Sequence, residues 1–265
     1  ILKGRVRVDG RIVTELGVRV GARAKIEVDG RKIAAEPLVY LILHKPRAVM
    51  CTLKDPEGRP TVAELVRDAG ARVVPVGRLD FHTSGALLMS NDGDFAGVIT
   101  HPRHHVPKVY VAKVRGMVDE RALGRLRQSI DIDGEATVPA EVSVIRFEGD
   151  KTWLRVVLKE GKNRQVRRLG EAAGYPVMRL ARLEHAGIST EGLRPGMWRY
   201  LTDDELADLK KAYGVPKRVK LQRPEPELPR NRPRRPAQRE ASGQRPAQRK
   251  VTARGERASS RRRGT

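Results

Sequence analysis

The last fifty residues limit most strictly what this chain can fold into, because they lack the side chains that build a hydrophobic core. Residues 216–265 contain seven prolines and no aromatic residue, and they carry 17 Lys and Arg against 4 Glu. Such a segment cannot bury enough apolar surface to offset the entropy lost on ordering. We therefore predict a disordered Arg/Pro-rich tail over 216–265 and confine globular structure to the residues before it.

The net charge of the chain indicates a partner that carries phosphate groups. Lys and Arg number 54 against 32 Asp and Glu, a formal charge of +22, which exceeds what solubility requires. A membrane surface is the alternative, but no stretch of about 18–20 uncharged apolar residues is present, and we expect no membrane association. The tail either contacts RNA, as Arg-rich disordered segments commonly do, or is a solubilising segment without a partner.

Cysteine and histidine usage points away from metal binding. The single cysteine, Cys51, excludes a disulfide framework and a metal site built from cysteines, and it fits a reducing cytosol. His101, His104 and His105 lie close in sequence, but no Cys or carboxylate partners occur at zinc-ligand spacing. We expect a cytoplasmic protein without a metal site.

Residues 1–35 are predicted to form short strands joined by turns. Asp9-Gly10 and Asp29-Gly30 each lie between alternating or apolar residues, which is a strong signal for a β-hairpin. A module of this length is too short to hold a stable core alone, because domains below about 40 residues usually need further support.

Residues 36–215 mix strand and helix signals without the regular alternation of a doubly wound sheet. Apolar or alternating runs predict strands at 38–43, 109–114 and 152–158. Thr61 with Glu64 and Thr202 with Glu205 have the spacing of a capping box, in which two side chains satisfy each other's backbone donors at a helix start. We predict an α+β domain around a mixed sheet.

Asp80 is the first candidate for chemistry. An apolar segment ends at Gly77, polar residues follow, and a second apolar run begins at Ala86. A carboxylate displayed at such a strand end can act as a nucleophile or a base. The alternative is that Asp80 only accepts hydrogen bonds from amides of its own loop, as Asp residues in turns often do.

A second candidate is the basic segment that begins at Gly161. Val166, Leu169 and Ala173 recur at helical spacing and are expected to pack inward. Arg164, Arg167 and Arg168 would then share another face. Arginines in this arrangement can bind phosphates or hold a catalytic carboxylate ionised, or they form an ordinary solvated helix face.

The segment from Lys108 to Gly116 alternates and predicts a strand with Lys108 and Tyr110 on one face. Tyr110 can stack on an unstacked base or serve as a core aromatic. Because aromatic residues make up only 4% of the chain, we expect backbone electrostatics to dominate RNA binding.

Four ordered motifs together resemble the pseudouridine synthases of the RsuA and RluB type, which modify ribosomal RNA. The motifs are Gly77-Arg78-Leu79-Asp80 with Thr83, Gly85 and Asn91-Asp92-Gly93; His101-Pro102; Lys108-Val109-Tyr110 with Gly116; and the Gly-x-Asn-Arg-Gln-Val-Arg-Arg run from Gly161. The resemblance extends from about Gly4 to Tyr213.

The resemblance implies an α+β pseudouridine synthase core with a mixed, largely antiparallel sheet over 36–215. It implies that Asp80 is the catalytic aspartate, that Tyr110 lies against the target base and that Arg167 pairs with the aspartate. Residues 1–35 are similar to the later part of the small RNA-binding module named after a ribosomal small-subunit protein, without its opening helices. RNA contacts are assigned to Arg78, Lys108, Lys162, Asn163, Arg164, Gln165 and Arg168.

The implied reaction is isomerisation of a flipped-out uridine to pseudouridine in ribosomal RNA, without a cofactor. Asp80 either attacks the anomeric carbon or removes a sugar proton. Residues 52–62 look closer to the large-subunit members, so 23S rRNA is favoured over 16S rRNA. We expect a monomer whose partner is rRNA, including rRNA in a ribosome-assembly intermediate. The alternative interpretation is a non-catalytic rRNA-binding assembly factor.

Overall fold

The computed structural model describes residues 1–21, 24–33 and 36–219, and it has an α+β fold. The helices are α1 (Val62–Leu65), α2 (Gly93–Thr100), α3 (Glu120–Leu126), α4 (Gln165–Ala172) and α5 (Asp203–Tyr213). The strands are β1 (Val6–Val8), β2 (Arg11–Val13), β3 (Ile26–Val28), β4 (Arg31–Ile33), β5 (Tyr40–Lys45), β6 (Val74–Pro75), β7 (Ser84–Ser90), β8 (Lys108–Arg115), β9 (Asp131–Ile132), β10 (Glu135–Ala136), β11 (Glu141–Glu148), β12 (Lys151–Leu158), β13 (Val177–His185), β14 (Ile188–Ser189) and β15 (Trp198–Tyr200).

A nine-stranded sheet organises the described residues after 36. Seven strands follow one another in the order β11-β12-β8-β13-β7-β5-β15, while β14 pairs with β13 and β6 pairs with β7. Strands β13 and β7 are parallel, and the other pairings of this sheet are antiparallel. The predicted fold class, with a mixed and largely antiparallel sheet, is confirmed.

The central strands are buried on both faces of this sheet. In β5, Leu41 and Leu43 belong to one hydrophobic cluster, whereas Tyr40 and Ile42 belong to the cluster on the other face. Because both faces are covered, the strand reads as a continuous apolar run in the sequence. The strand predicted at 38–43 is present but begins at Tyr40 and ends at Lys45.

The two Asp-Gly turns are confirmed in the small sheet, whose strand order is β2-β1-β3-β4. Asp9 and Gly10 have φ values of 50° and 82°, and Asp29 and Gly30 have 51° and 76°, as expected for a two-residue hairpin turn with two left-handed positions. None of the residues described between 1 and 33 is buried. The separation of 1–35 as an RNA-binding module stays a prediction.

The two predicted capping boxes differ. At α5, Thr202 Oγ1 accepts from the Glu205 N–H at 3.1 Å and Glu205 accepts from the Thr202 N–H at 2.8 Å, so this box is confirmed. At α1 the prediction is wrong, because Thr61 Oγ1 donates to the Glu64 carboxylate at 3.1 Å instead. The Thr61 side chain therefore makes no hydrogen bond to the backbone of this helix of four residues.

The predicted tail lies outside the described residues from residue 220 onward. Its expected disorder and its expected RNA contact therefore stay predictions. Across the described ranges, every helix is too short or too polar to cross a membrane.

Candidate active site

Asp80 lies in the loop between β6 and β7, and this loop is anchored from below by Lys45. The Lys45 side chain is 0% exposed, and its ammonium donates to the carbonyls of Asp80 at 3.1 Å and Thr83 at 3.0 Å. It also donates to the carbonyls of Pro46 and Phe81. The end of β5 therefore fixes the backbone that carries Asp80, a role that sequence reasoning missed.

Two arginines approach the Asp80 carboxylate. Arg164 Nη1 lies 3.7 Å and Arg167 Nε 3.9 Å from Asp80 Oδ2, which is within ion-pair range but too long for a hydrogen bond. The Asp80 side chain remains 36% exposed. Its contacts are therefore electrostatic and open to a ligand, which does not favour the alternative of a carboxylate engaged by loop amides.

Arg167 is held in place by the neighbouring strand. Its Nη1 donates to the Val177 carbonyl at 3.0 Å, and its Nε is buried without a hydrogen-bond partner in the part of the chain that the structure describes. Burial and the adjacent Arg164 lower the pKa of Arg167, but an arginine stays charged in proteins. The guanidinium therefore presents a fixed positive charge to Asp80.

The other cations of this segment are paired with the β9–β10 hairpin. Arg168 contacts Asp133 at 2.9 Å and Lys162 contacts Glu135 at 2.7 Å. The expected common face of arginines is therefore divided, because Arg164 and Arg167 face Asp80 while Arg168 faces Asp133. Arg164 also precedes α4, in a left-handed conformation with φ of 50°. The three apolar residues expected to pack inward, Val166, Leu169 and Ala173, are buried.

Gln165, assigned to RNA contact, is engaged within the protein. Its Nε2 donates to the buried Glu160 at 2.6 Å, and its Oε1 accepts from the Lys162 N–H at 3.1 Å. Both polar atoms of the Gln165 amide are thus hydrogen-bonded within the protein, and this side chain holds together the loop before α4.

A pocket of about 330 Å³ brings most of the predicted residues together, within the usual range of about 300–1,000 Å³ for ligand sites. The predicted residues that line it are Arg78, Asp80, Lys108, Tyr110, Lys162, Asn163, Arg164 and Gln165. The other two predicted residues do not line the pocket: Arg167 contacts Asp80, and Arg168 contacts Asp133. Arg78, Asn163 and Arg164 lie at the pocket rim, and all three are exposed.

Tyr110 lies both in the hydrophobic core and at the pocket, and its contact with a base stays a prediction. It is 9% exposed and belongs to the main hydrophobic cluster, and it also lines the pocket. A ring packed on one side and open on the other is well placed to meet a planar ligand.

Sequence reasoning missed two polar residues that also line the pocket, Arg182 and His185, and it gave no role to Thr83, a motif residue that lines it too. Each is at most 2% exposed. Arg182 and His185 lie in β13, where Arg179 and Glu184 obscure any alternation of polar and apolar residues, so no local pattern identifies them. One indirect signal exists: a Cβ at Gly85 would lie 2.0 Å from the Arg182 carbonyl oxygen, so only glycine fits beside that strand.

The chain is similar to known proteins over most of its length. Residues 39–172 match the family model described as RNA pseudouridylate synthase. A protein of Aquifex aeolicus named "Uncharacterized RNA pseudouridine synthase" is 42% identical over 217 residues, which cover 81% of this chain and 87% of the relative. The "Ribosomal large subunit pseudouridine synthase B" of Bacillus subtilis is 40% identical over 212 residues, covering 79% and 87%.

A solved structure extends the likeness to the fold. The structure titled "Crystal structure of pseudouridylate synthase" superposes with a TM-score of 0.61 and 27% identity, covering 78% of this chain and 90% of that one. Together with the family match over 39–172, this shows that the chain belongs to the RNA pseudouridine synthases and is an enzyme of the isomerase class, of the RsuA and RluB type.

Proposed function

We propose that this protein isomerises a specific uridine to pseudouridine in ribosomal RNA, with 23S rRNA favoured over 16S rRNA. The observation that carries the proposal is the Asp80 carboxylate, partly exposed in the pocket and flanked by two guanidinium groups. The large-subunit name of the Bacillus subtilis relative supports 23S rRNA.

The target uridine must leave its stack before it can react. A base within a helix shields its sugar, so an enzyme that acts there flips the nucleotide at a cost of a few kcal/mol. Phosphate contacts offset this cost. Arg78, Asn163 and Arg164 at the rim are accessible for such contacts, and Lys162 and Arg168 can exchange their carboxylate partners for phosphates.

Asp80 is assigned the central chemical step. It either attacks the anomeric carbon or removes a proton from the sugar, and the bond from the sugar to uracil N1 breaks. Arg167 attracts and orients the Asp80 carboxylate, while Tyr110 lies against the uracil ring. The cycle ends when uracil C5 is bonded to the same sugar carbon, which requires no cofactor.

The regions outside the pocket are assigned to RNA binding. Residues 1–35 form a partial RNA-binding module, 36–215 the catalytic domain and 216–265 a basic tail that adds phosphate contacts. The protein acts as a monomer in the cytoplasm, on rRNA in an assembly intermediate.

The Asp80→Asn variant tests this proposal. It removes the reactive carboxylate but keeps the side chain's volume, so we expect RNA binding to persist and pseudouridine formation to be abolished. The measurement is pseudouridine mapping of 23S and 16S rRNA from cells that lack this gene, complemented with either the unchanged gene or the gene for the Asp80→Asn variant.

The outcomes are distinct. One pseudouridine in 23S rRNA that depends on the unchanged gene supports the proposal, and one in 16S rRNA transfers it to the small subunit. Pseudouridine made by Asp80→Asn would refute the catalytic assignment. Tight binding with no gene-dependent pseudouridine would indicate the non-catalytic assembly factor.

A further inference from the structure

The buried side of the pocket contains polar groups that lack partners. Arg182 Nη2, Thr83 Oγ1 and both ring nitrogens of His185 are buried, and within the described residues they form no hydrogen bond. All three residues line the pocket, and we call them the pocket floor. Because a buried polar group without a partner is costly, this arrangement needs an explanation.

A β-bulge places two floor residues side by side. In the β13–β8 ladder, Arg182 lies opposite Tyr110 and His185 lies opposite Lys108, and the register shifts between Arg182 and Glu184. In a regular strand, residues three apart face opposite sides of the sheet. The bulge changes this parity, so Arg182 and His185 both border the pocket.

The floor region is positively charged and short of acceptors. In the described ranges, no carboxylate lies within ion-pair distance of Arg182 or Lys108. Burial, with Arg182 and Lys108 nearby, holds the pKa of His185 well below its ordinary value, so the imidazole is neutral. A neutral imidazole offers one donor and one acceptor, whereas Arg182 Nη2 can only donate.

Uracil has a polar edge that matches this set. Its O2 and O4 carbonyls accept hydrogen bonds, and the N3–H between them donates. We propose that the floor binds this edge of the flipped uracil, with Arg182 and Thr83 donating to the carbonyls and His185 accepting from N3–H. This inference rests on the proposed function, because it requires a uridine in the pocket.

The base, rather than a phosphate, is the group that reaches the floor. A flipped nucleotide enters the pocket base first, and its phosphates stay with the RNA backbone at the surface. The rim cations, Arg78 and Arg164, are accessible to solvent and stand where the phosphates remain. The buried cation Arg182 stands where the ring arrives.

The same site also serves the chemical steps. When the bond from C1′ to N1 breaks, its electron pair leaves with the ring, and the negative charge spreads onto O2 and O4. Arg182 and Lys108 stabilise this charge, since preorganised donors act most strongly where charge develops in a buried site.

The ring then turns about the axis through N3 and C6. This rotation exchanges N1 with C5 and O2 with O4. The donors Arg182 and Thr83, on either side of the acceptor His185, therefore make the same hydrogen bonds to the ring before and after the rotation. C5 then forms the bond to C1′ as C1′ releases the Asp80 carboxylate or, in the other route, as the sugar regains the proton that Asp80 removed. C5 loses its proton to a base, and N1 gains one. Atoms and charge balance, as an isomerisation requires.

Kinetics with two substrates test the inference. Arg182→Lys keeps a positive charge but removes the planar guanidinium, whose Nε and Nη2 donate in two fixed directions, and Thr83→Val removes a hydroxyl at constant shape. We expect single-turnover pseudouridine formation on unmodified rRNA transcript to fall about 100-fold for Arg182→Lys and about tenfold for Thr83→Val. Arg179→Lys, an exposed residue of the same strand outside the pocket, is the matched control.

RNA with 5-fluorouridine at the target position separates catalysis from folding. Fluorine makes the departing ring a more stable anion, so it needs less help from the floor. The loss in the rate of target consumption should be at least about fivefold smaller on this RNA than on uridine RNA. Equal losses on both RNAs, or no loss for either variant, would overturn the inference.

Binding to an abasic RNA distinguishes base from phosphate. In an Asp80→Asn background, the two floor variants should weaken binding of RNA with uridine at the target and leave binding of RNA with an abasic ribose unchanged. Equal weakening for both RNAs would show that the floor binds a phosphate, which would overturn the assignment to the base.

Two further measurements distinguish a failure of the floor assignment from a failure of the proposed function. The midpoint of thermal unfolding of Thr83→Val should equal or exceed that of the unchanged protein, because the variant removes a buried hydroxyl without a partner. If Asp80→Asn is inactive while the floor variants are unimpaired, the floor assignment fails and the proposed function stands. If Asp80→Asn makes pseudouridine, the assignment of Asp80 fails, and if the unchanged protein makes none, the proposed function itself fails.

Discussion

Two groups of cationic side chains lie in or next to the pocket, and they are held in opposite ways. Those around the start of α4 are partly exposed and paired with carboxylates, as Lys162 is with Glu135 at 2.7 Å. The inner group consists of Lys45, beneath the Asp80 loop, and Arg182, which lines the pocket. They are 0% and 2% exposed and donate to backbone carbonyls, among them that of Ala86. Ion pairs with carboxylates hold the outer group, whereas hydrogen bonds to backbone carbonyls hold the inner group.

This difference in how the cations are held suggests that the outer group serves RNA affinity and the inner group serves the chemical steps. Exposed ion pairs contribute about 0–1 kcal/mol to stability, so their partners exchange readily for phosphates. A buried cation is desolvated at high cost and cannot move without leaving groups unpaired. We therefore expect changes in the outer group to alter RNA binding and changes in the inner group to alter turnover.

The largest expected effect comes from Arg167, which belongs to the helix of the outer group but is half-buried behind Asp80. Arg167→Met should lower single-turnover pseudouridine formation by about 10²–10³-fold, because it removes the fixed charge beside the carboxylate. The adjacent Arg168→Met is the matched control. With saturating transcript it should cost under about threefold, because Arg168 faces Asp133 and not Asp80, and such an ion pair is worth little.

A loss of similar size for both arginine variants would contradict the division into two groups. It would mean that the helix contributes its charge as a whole. The affinity of each variant for the transcript, measured at the same salt concentration, separates weaker binding from slower chemistry.

Lys45 is expected to give the second-largest effect. Lys45→Met removes the donors that hold the carbonyls of Asp80 and Thr83, and a displacement of about 1 Å at a reacting group can cost about 100-fold in rate. We expect turnover to fall by this factor while RNA affinity is kept. Unaltered turnover would show that the loop holds its own conformation.

Lys45, together with Lys108, should make the free energy of unfolding depend on pH. Burial lowers the pKa of Lys45 to about 8, and that of Lys108 also to about 8. Above about pH 8 the folded chain has released a proton that the unfolded chain keeps until its lysine pKa near about 10.4. The free energy of unfolding should therefore rise with pH between these values, by up to about 1.4 kcal/mol per pH unit for each lysine.

Denaturant unfolding at several pH values measures this rise, and Lys45→Met is the comparison. The variant should show a smaller slope over the same window, with the part due to Lys108 remaining. Identical slopes for both proteins would exclude Lys45 as the source.

The smallest effect is expected for Lys162→Met at the surface. Its free energy of unfolding should change by less than about 1 kcal/mol. If Lys162 exchanges Glu135 for one phosphate, the slope of log affinity against log salt should fall by about 0.7–0.9. An unchanged slope in a salt titration would show that Lys162 stays with Glu135 in the complex.

Local sequence signals were most reliable where local chemistry decides the structure. The Asp9-Gly10 turn was predictable because only residues that tolerate left-handed φ fit it. The capping box of Thr202 and Glu205 formed at a helix of eleven residues, whereas the same spacing at Thr61 failed at a helix of four. The predicted strand at 152–158 lies within β12.

The candidate site was predictable only in part. The ordered motifs identified Asp80, Tyr110 and the segment from Gly161, and the structure brings these to one pocket. Lys45, Arg182 and His185 were missed, because a cation inside an apolar strand has no periodic signature. The carboxylates of the β9–β10 hairpin were also missed as partners of the basic segment, since they lie far from it along the chain.

The sequence alone determined the α+β class, the hairpins and the candidate carboxylate, because these depend on residue type and on spacing within a few positions. Tertiary structure decided which charges face one another. It set Lys45 beneath the Asp80 loop, separated Arg167 from Arg168, and turned Arg182 and His185 toward the pocket through a bulge. Contacts between distant strands depend on register, and a shift of one residue reverses which side chains face the site.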